Sequence, residues 1–89
     1  MNWEDLKTFA ALAQFGSVRA AGEELGVSPS QVARRIDRLE MSLGVSLFYR
    51  LSTGSELTDT GKIILKQVKH MEKRILKIKL ETHLVGAKA

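Results

Sequence analysis

Residues 28–43 read SPSQVARRIDRLEMSL, and the rest of the chain is organised around them. Ser28 is a good N-cap, Pro29 suits the first helical position, and Gln31 at the third completes a capping box by reaching back to the Ser28 N–H. Val27 and Val32 are spaced for a hydrophobic staple that fixes how the chain enters the helix. Val32, Ile36, Leu39 and Leu43 then recur at intervals of four, three and four, while Ser30, Gln31, Arg34, Arg35 and Arg38 lie off that stripe. One side packs and the other is free. Two readings of the free side stand together. It is a solvated face whose arginines are offset at helical spacing, Arg34 by Asp37 among them. Alternatively it is a helix laid into the DNA major groove, its short polar first turn at base edges and its arginines on guanine or phosphate.

The flanking sequence narrows the choice. Asn2 caps a first helix with Asp5 three residues on, Leu6, Phe9, Ala10 and Ala13 form its apolar stripe, and Gly16 stops it. Trp3 sits at the edge of this pattern, placed either to pack on a later helix as part of the core or to lie at a subunit contact. Ser17 caps a short second helix over residues 18–25, closed by Gly26, with small Ala20 and Ala21 allowing close approach. A helix ending in glycine, a brief turn and a second capped helix with a polar outer face make a helix-turn-helix pattern. After the stop at Gly44 the period changes. Val45, Leu47 and Tyr49 alternate with Ser46, Phe48 and Arg50, and the turn-rich residues 52–55 lead to Glu56, Leu57 and Thr58, so a small β-hairpin, or wing, is expected. Thr58 caps a last, long helix in which Ile64, Val68, Met71, Ile75 and Ile78 form a heptad seam suited to pairing with a second copy. Lys62, Lys66, Lys69, Lys73 and Lys77 form a stripe beside it, either a solubilising flank or a source of phosphate attraction.

Bulk properties bound the function. Eighty-nine residues make one small domain, marginal alone and helped by a partner chain. The absence of cysteine removes disulfides, thiolate metal sites and a Cys nucleophile, and fits a reducing cytoplasm. Acids in MNWEDLKTF exclude a signal-peptide pattern, and no apolar run is long enough for a membrane span. Net charge is +4, yet residues 1–61 hold six Lys and Arg against eight acids. The basic excess therefore lies in the C-terminal third, and the charge alone does not show that the helix after Ser28 meets DNA. Glu23 and Glu24 are adjacent and point apart, and no phosphate loop or triad context occurs, so no enzyme is expected. His70 and His83, thirteen residues apart, do not suggest a metal site, and no cofactor is implied.

Gly16-Ser17, Ala20-Ala21, Leu25, Val27-Ser28, Val32, Arg34, Ile36, Leu39-Glu40, Leu43-Gly44-Val45, Leu47-Phe48, Arg50, Gly54, Leu57-Thr58 and Gly61 together resemble the N-terminal DNA-binding domain of LysR-type transcriptional regulators. The resemblance implies a mainly α winged helix-turn-helix over residues 1–58, a linker and dimerisation helix over 59–82 and a tail over 83–89. The effector-binding domain that members usually carry is absent from these residues, and no effector ligand is expected. The implied partners are double-stranded DNA and a second copy, joined through Ile64, Val68, Met71, Ile75 and Ile78. The implied DNA contacts are Ser28, Pro29, Ser30, Gln31, Ala33, Arg34, Arg35 and Arg38 on the helix, with Arg50, Thr53 and Ser55 in the wing. Three departures each remove a polar contact. Pro29 and Ser30 stand where the family usually has glutamine and then proline, Ala33 replaces a common serine, and Thr53 replaces an arginine. They leave open an alternative role, a protein-interaction module that heterodimerises with full-length regulators and blocks their DNA binding.

Overall fold

Local capping fixes the three short helices. In the computed structural model, which describes residues 1–88 and side chains through residue 84, α1 (Trp3–Phe15), α2 (Val18–Leu25) and α3 (Pro29–Leu43) start at Asn2, Ser17 and Ser28. Their side-chain oxygens accept from the N–H of Asp5 at 2.9 Å, Ala20 at 3.1 Å and Gln31 at 3.1 Å. The capping box at Ser28 is only half formed, because the Gln31 side chain makes no return bond to Ser28 among the described residues. Between α2 and α3 the Val27 N–H donates to the Gly22 carbonyl at 2.9 Å. A Cβ at Gly22 would lie 2.6 Å from the Val27 carbonyl oxygen, so this glycine, more than Ala20 and Ala21, lets the turn close.

α1 runs through the middle, with α2 and α3 packed on one side and α4 on another. Burial therefore covers more of α1 than one stripe: Ala11 and Leu12 are buried beside Leu6 and Phe9, while the expected Ala10 and Ala13 are half-buried, as is Trp3. Val32, Ile36 and Leu39 of α3 complete the core with Ala21, Leu47, Phe48 and Val68, and Phe9 meets Phe48 edge to face at 5.4 Å.

The wing is β1 (Phe48–Leu51) and β2 (Gly54–Leu57), antiparallel, with Phe48 opposite Leu57 and Leu51 opposite Gly54. The alternation expected from Val45 fails: Leu47 and Phe48 are both buried, and Val45 and Tyr49 are exposed. The cause is Glu40, whose Oε2 accepts from the Leu47 N–H at 2.7 Å and the Phe48 N–H at 3.3 Å, turning the chain inward before the strand begins.

Thr58 joins wing to α4 (Asp59–Lys88). Its N–H donates to the Leu47 carbonyl, its hydroxyl donates to the Ser46 carbonyl at 2.8 Å and accepts from the Gly61 N–H at 2.9 Å. Gly61 sits so close to Leu47 that a Cβ would lie 2.3 Å from its carbonyl oxygen. α4 continues past residue 82, where the sequence reading ends it, since Thr82, His83 and Leu84 include no helix breaker; Ala89 of the expected tail lies outside the described residues. The expected pairing seam is divided. Val68 is 1% exposed and belongs to the intrachain core, Ile64 packs against that core, and of the five only Met71, 42% exposed, and Ile78, 61% exposed, are open, with Ile75 half-buried. Val68 is therefore already covered within one chain. No helix among the described residues is long and apolar enough to cross a membrane.

Candidate nucleic-acid interface

The outer face of α3 begins at its N-terminus. Ser28, Pro29, Ser30 and Arg34 are exposed and Gln31 is half-buried. Ser30 and Arg34, four apart, project from one face, above N–H groups whose partial positive charge favours an anion. Asp37 and Met41 continue that face, Met41 at 84% exposed. The Arg34 guanidinium has no ion-pair or side-chain hydrogen-bond partner among the described residues. Its expected pairing with Asp37 does not form, because Asp37 binds Arg50 of the wing instead.

The other arginines of α3 and the wing are held. Arg38 lays its fork on Asp5 of α1, Nε on Oδ2 at 2.8 Å and Nη2 on Oδ1 at 2.6 Å. Asp5 is buried, and the hydrogen-bonded guanidinium holds its carboxyl below the usual carboxylate range against the opposing pull of burial. Arg35 points the same way: its Nη1 donates to the Thr8 hydroxyl at 3.2 Å and lies 3.6 Å from the Glu4 carboxylate, with the side chain 16% exposed. Both arginines, expected among the DNA contacts, are thus engaged with α1. Arg50 lies between Asp37 and Glu40, 3.8 Å from the latter, with about half its side chain exposed. Nothing in the sequence flagged Asp5, Glu4 and Thr8 as partners of α3; two acids in a first helical turn read equally well as responses to the helix dipole.

In the wing, Thr53 is exposed at the two-residue tip. Ser55 is half-buried and its N–H donates to the Gly16 carbonyl at 3.0 Å, fastening the wing to the turn between α1 and α2. Ala33 is also half-buried, on a cleft of about 340 Å³ between α3 and the wing that Ile36, Phe48 and Ser55 help to line. Neither Ala33 nor Ser55 stands on the open face with Arg34. Tyr49, expected only as part of the wing's alternation, and Leu51, which the sequence reading passed over, are 59% and 50% exposed on β1. The five stripe lysines of α4 are all exposed and carry no ion pair among the described residues. No group of three His, Cys, Asp or Glu side chains able to hold a metal ion occurs among the described residues.

Residues 3–62 match the family model described as "Bacterial regulatory helix-turn-helix protein, lysR family". An uncharacterized helix-turn-helix transcriptional regulator of Sinorhizobium fredii, y4mQ, is 48% identical over 60 residues, 67% of this chain and 20% of its own length. The Mau operon transcriptional activator of Paracoccus denitrificans is 36% identical over 81 residues, 91% of this chain and 29% of its own. The chain thus spans less than a third of the length of these relatives, which are named as transcriptional regulators. Among solved structures, the CbnR DNA-binding domain in complex with DNA is similar, with a TM-score of 0.89 and 30% identity, covering 97% of this chain and 99% of that one.

Proposed function

Because the chain belongs to the LysR family of bacterial regulatory helix-turn-helix proteins, we propose that it binds double-stranded DNA sequence-specifically as a dimer, with α3 in the major groove, and regulates transcription in the cytoplasm. Residues 1–58 form the reading head and α4 the linker and dimerisation helix. One observation carries the reading: on the open face of α3, Arg34 is the arginine without a protein partner among the described residues, one turn from an exposed, polar helix N-terminus. A bidentate contact from Arg34 to guanine O6 and N7 is worth about 1–3 kcal/mol of base discrimination. Ser30 and Gln31 meet neighbouring base edges, and Pro29 supplies apolar contact, as to a thymine methyl group. Thr53 at the wing tip faces the flanking backbone, while Arg50 stays on Asp37 and Glu40. The uncovered part of the seam, Met71 and Ile78 with Ile75, pairs two copies, so that two heads meet an inverted repeat.

Selection from a random double-stranded DNA pool at low salt tests this reading. Enrichment of an inverted repeat, bound about a thousandfold more tightly than scrambled DNA, is the expected result. Equal, salt-sensitive binding to every sequence contradicts it.

A further inference from the structure

Four arginines lie on or beside the reading face, and the acids of the same domain answer three of them. Asp5 is the most committed of these acids. It is fully buried at the start of α1, both carboxylate oxygens are occupied by Arg38, and its partner lies one turn beyond Arg34 with more than half its side chain open to solvent. Arg38 is thus positioned on the flank of α3 to meet a phosphate, yet its charge is already spent. Drawing it away would leave a buried carboxylate with no counter-ion, which the fold resists strongly.

Resting on the DNA-binding reading above, we propose that Asp5 is a specificity-determining positioning residue: it withholds the Arg38 charge from DNA phosphate, so that α3 binds through the uncompensated Arg34 at its base-reading end. The same acids fix the rotation of α3 about its axis, since Asp5 on Arg38 and Glu4 with Thr8 on Arg35 grip two successive turns of the helix from one side. Thr8 is itself oriented for this, its hydroxyl donating to the Glu4 carbonyl at 2.8 Å while accepting from Arg35. The head's small acidic excess belongs to the same arrangement. Sequence-independent attraction scales with the number of phosphates neutralised, so pairing arginines internally lowers binding to every sequence while leaving a direct base contact intact.

The test is a salt titration of the 89-residue chain on scrambled DNA and on the selected site, for wild type, Asp5→Asn, Arg38→Gln and the double variant, at a temperature where circular dichroism shows each folded. Asp5→Asn keeps the side-chain shape and frees the Arg38 charge. The expected result is a salt slope on scrambled DNA steeper by about one, several-fold tighter binding to scrambled DNA, and a selected-to-scrambled affinity ratio about tenfold lower. In the Arg38→Gln background, Asp5→Asn leaves slope and ratio unchanged, which a general loosening of the fold would not do. A folded Asp5→Asn with wild-type slope and ratio overturns the proposal, as does an equal effect in both backgrounds. The slope is read on any DNA. A wild type that fails to discriminate between sites therefore breaks the sequence-specific reading alone, whereas one that binds no DNA breaks both. If Asp5→Asn does not fold, Arg38→Gln alone decides: an unchanged slope is expected, and a slope shallower by about one overturns the proposal.

Discussion

The head and the distal part of α4 handle their side chains in opposite ways. In the head, apolar residues from three helices, the strands and Val68 close into one core, and acids answer Arg35, Arg38 and Arg50. Along α4 beyond residue 69, Met71, Leu76, Ile78, Leu80 and Leu84 stand open, and the stripe lysines form no ion pair among the described residues. The head is complete within one chain, while α4 leaves both its apolar and its charged surface for something else to cover. An unpartnered apolar row on a long helix gains stability from association, whereas a finished core does not.

This contrast can be broken most sharply in the core. Phe9→Ala removes a fully buried ring that packs on Phe48, and is expected to cost about 3–5 kcal/mol in urea unfolding. A cost below 1 kcal/mol would mean that the head is not a self-sufficient core. Next in size is Glu40→Ala, which leaves the Leu47 and Phe48 N–H groups without their acceptor and is expected to cost about 1–3 kcal/mol, with Glu40→Gln retaining most of the stability. Equal losses for both substitutions would show that the carbonyl acceptor is not what turns the chain.

A smaller effect comes with acid. Folding lowers the Asp5 pKa, so this carboxylate contributes stability above the unfolded value of about 3.9, and the contribution is lost as pH falls through the lower folded value. The urea midpoint of the wild type should therefore drop between pH 5 and pH 3 more steeply than that of Asp5→Asn, and parallel profiles would remove Asp5 from the acid response. The smallest change in chain stability is expected on α4. Met71→Ser with Ile78→Ser should alter unfolding of the dilute chain by no more than about 0.5 kcal/mol. In sedimentation at rising concentration, however, these substitutions should abolish dimers, and a wild type that stays monomeric throughout would show that this row does not pair copies.

The sequence made much of the head legible, because its signals are local. Asn2, Ser17, Ser28 and Thr58 cap the helices as read, glycines close the first three, and the wing turns at residues 52–53. What escaped depends on distant partners. Glu40 accepts from the N–H groups of Leu47 and Phe48, seven and eight residues on, and this breaks the expected strand alternation. Asp37 found Arg50, thirteen residues away, rather than its helical neighbour Arg34. Val68 keeps a heptad period, yet periodicity gives a face and not its occupant, and here the occupant is the chain's own core. For the site, exposure of Ser30 and Arg34 followed from helical spacing, whereas the capture of Arg35 and Arg38 by α1 lay beyond any local pattern.

The most direct measurement compares wild type and Arg34→Ala on the selected DNA site and on scrambled DNA at fixed salt. If the open arginine of α3 reads a base, the variant should lose about 1–3 kcal/mol of affinity for the selected site, roughly 5- to 150-fold, with relaxed preference at one base pair of each half-site and little change on scrambled DNA. Unchanged affinity and unchanged preference in a folded Arg34→Ala would contradict base reading by this face of α3.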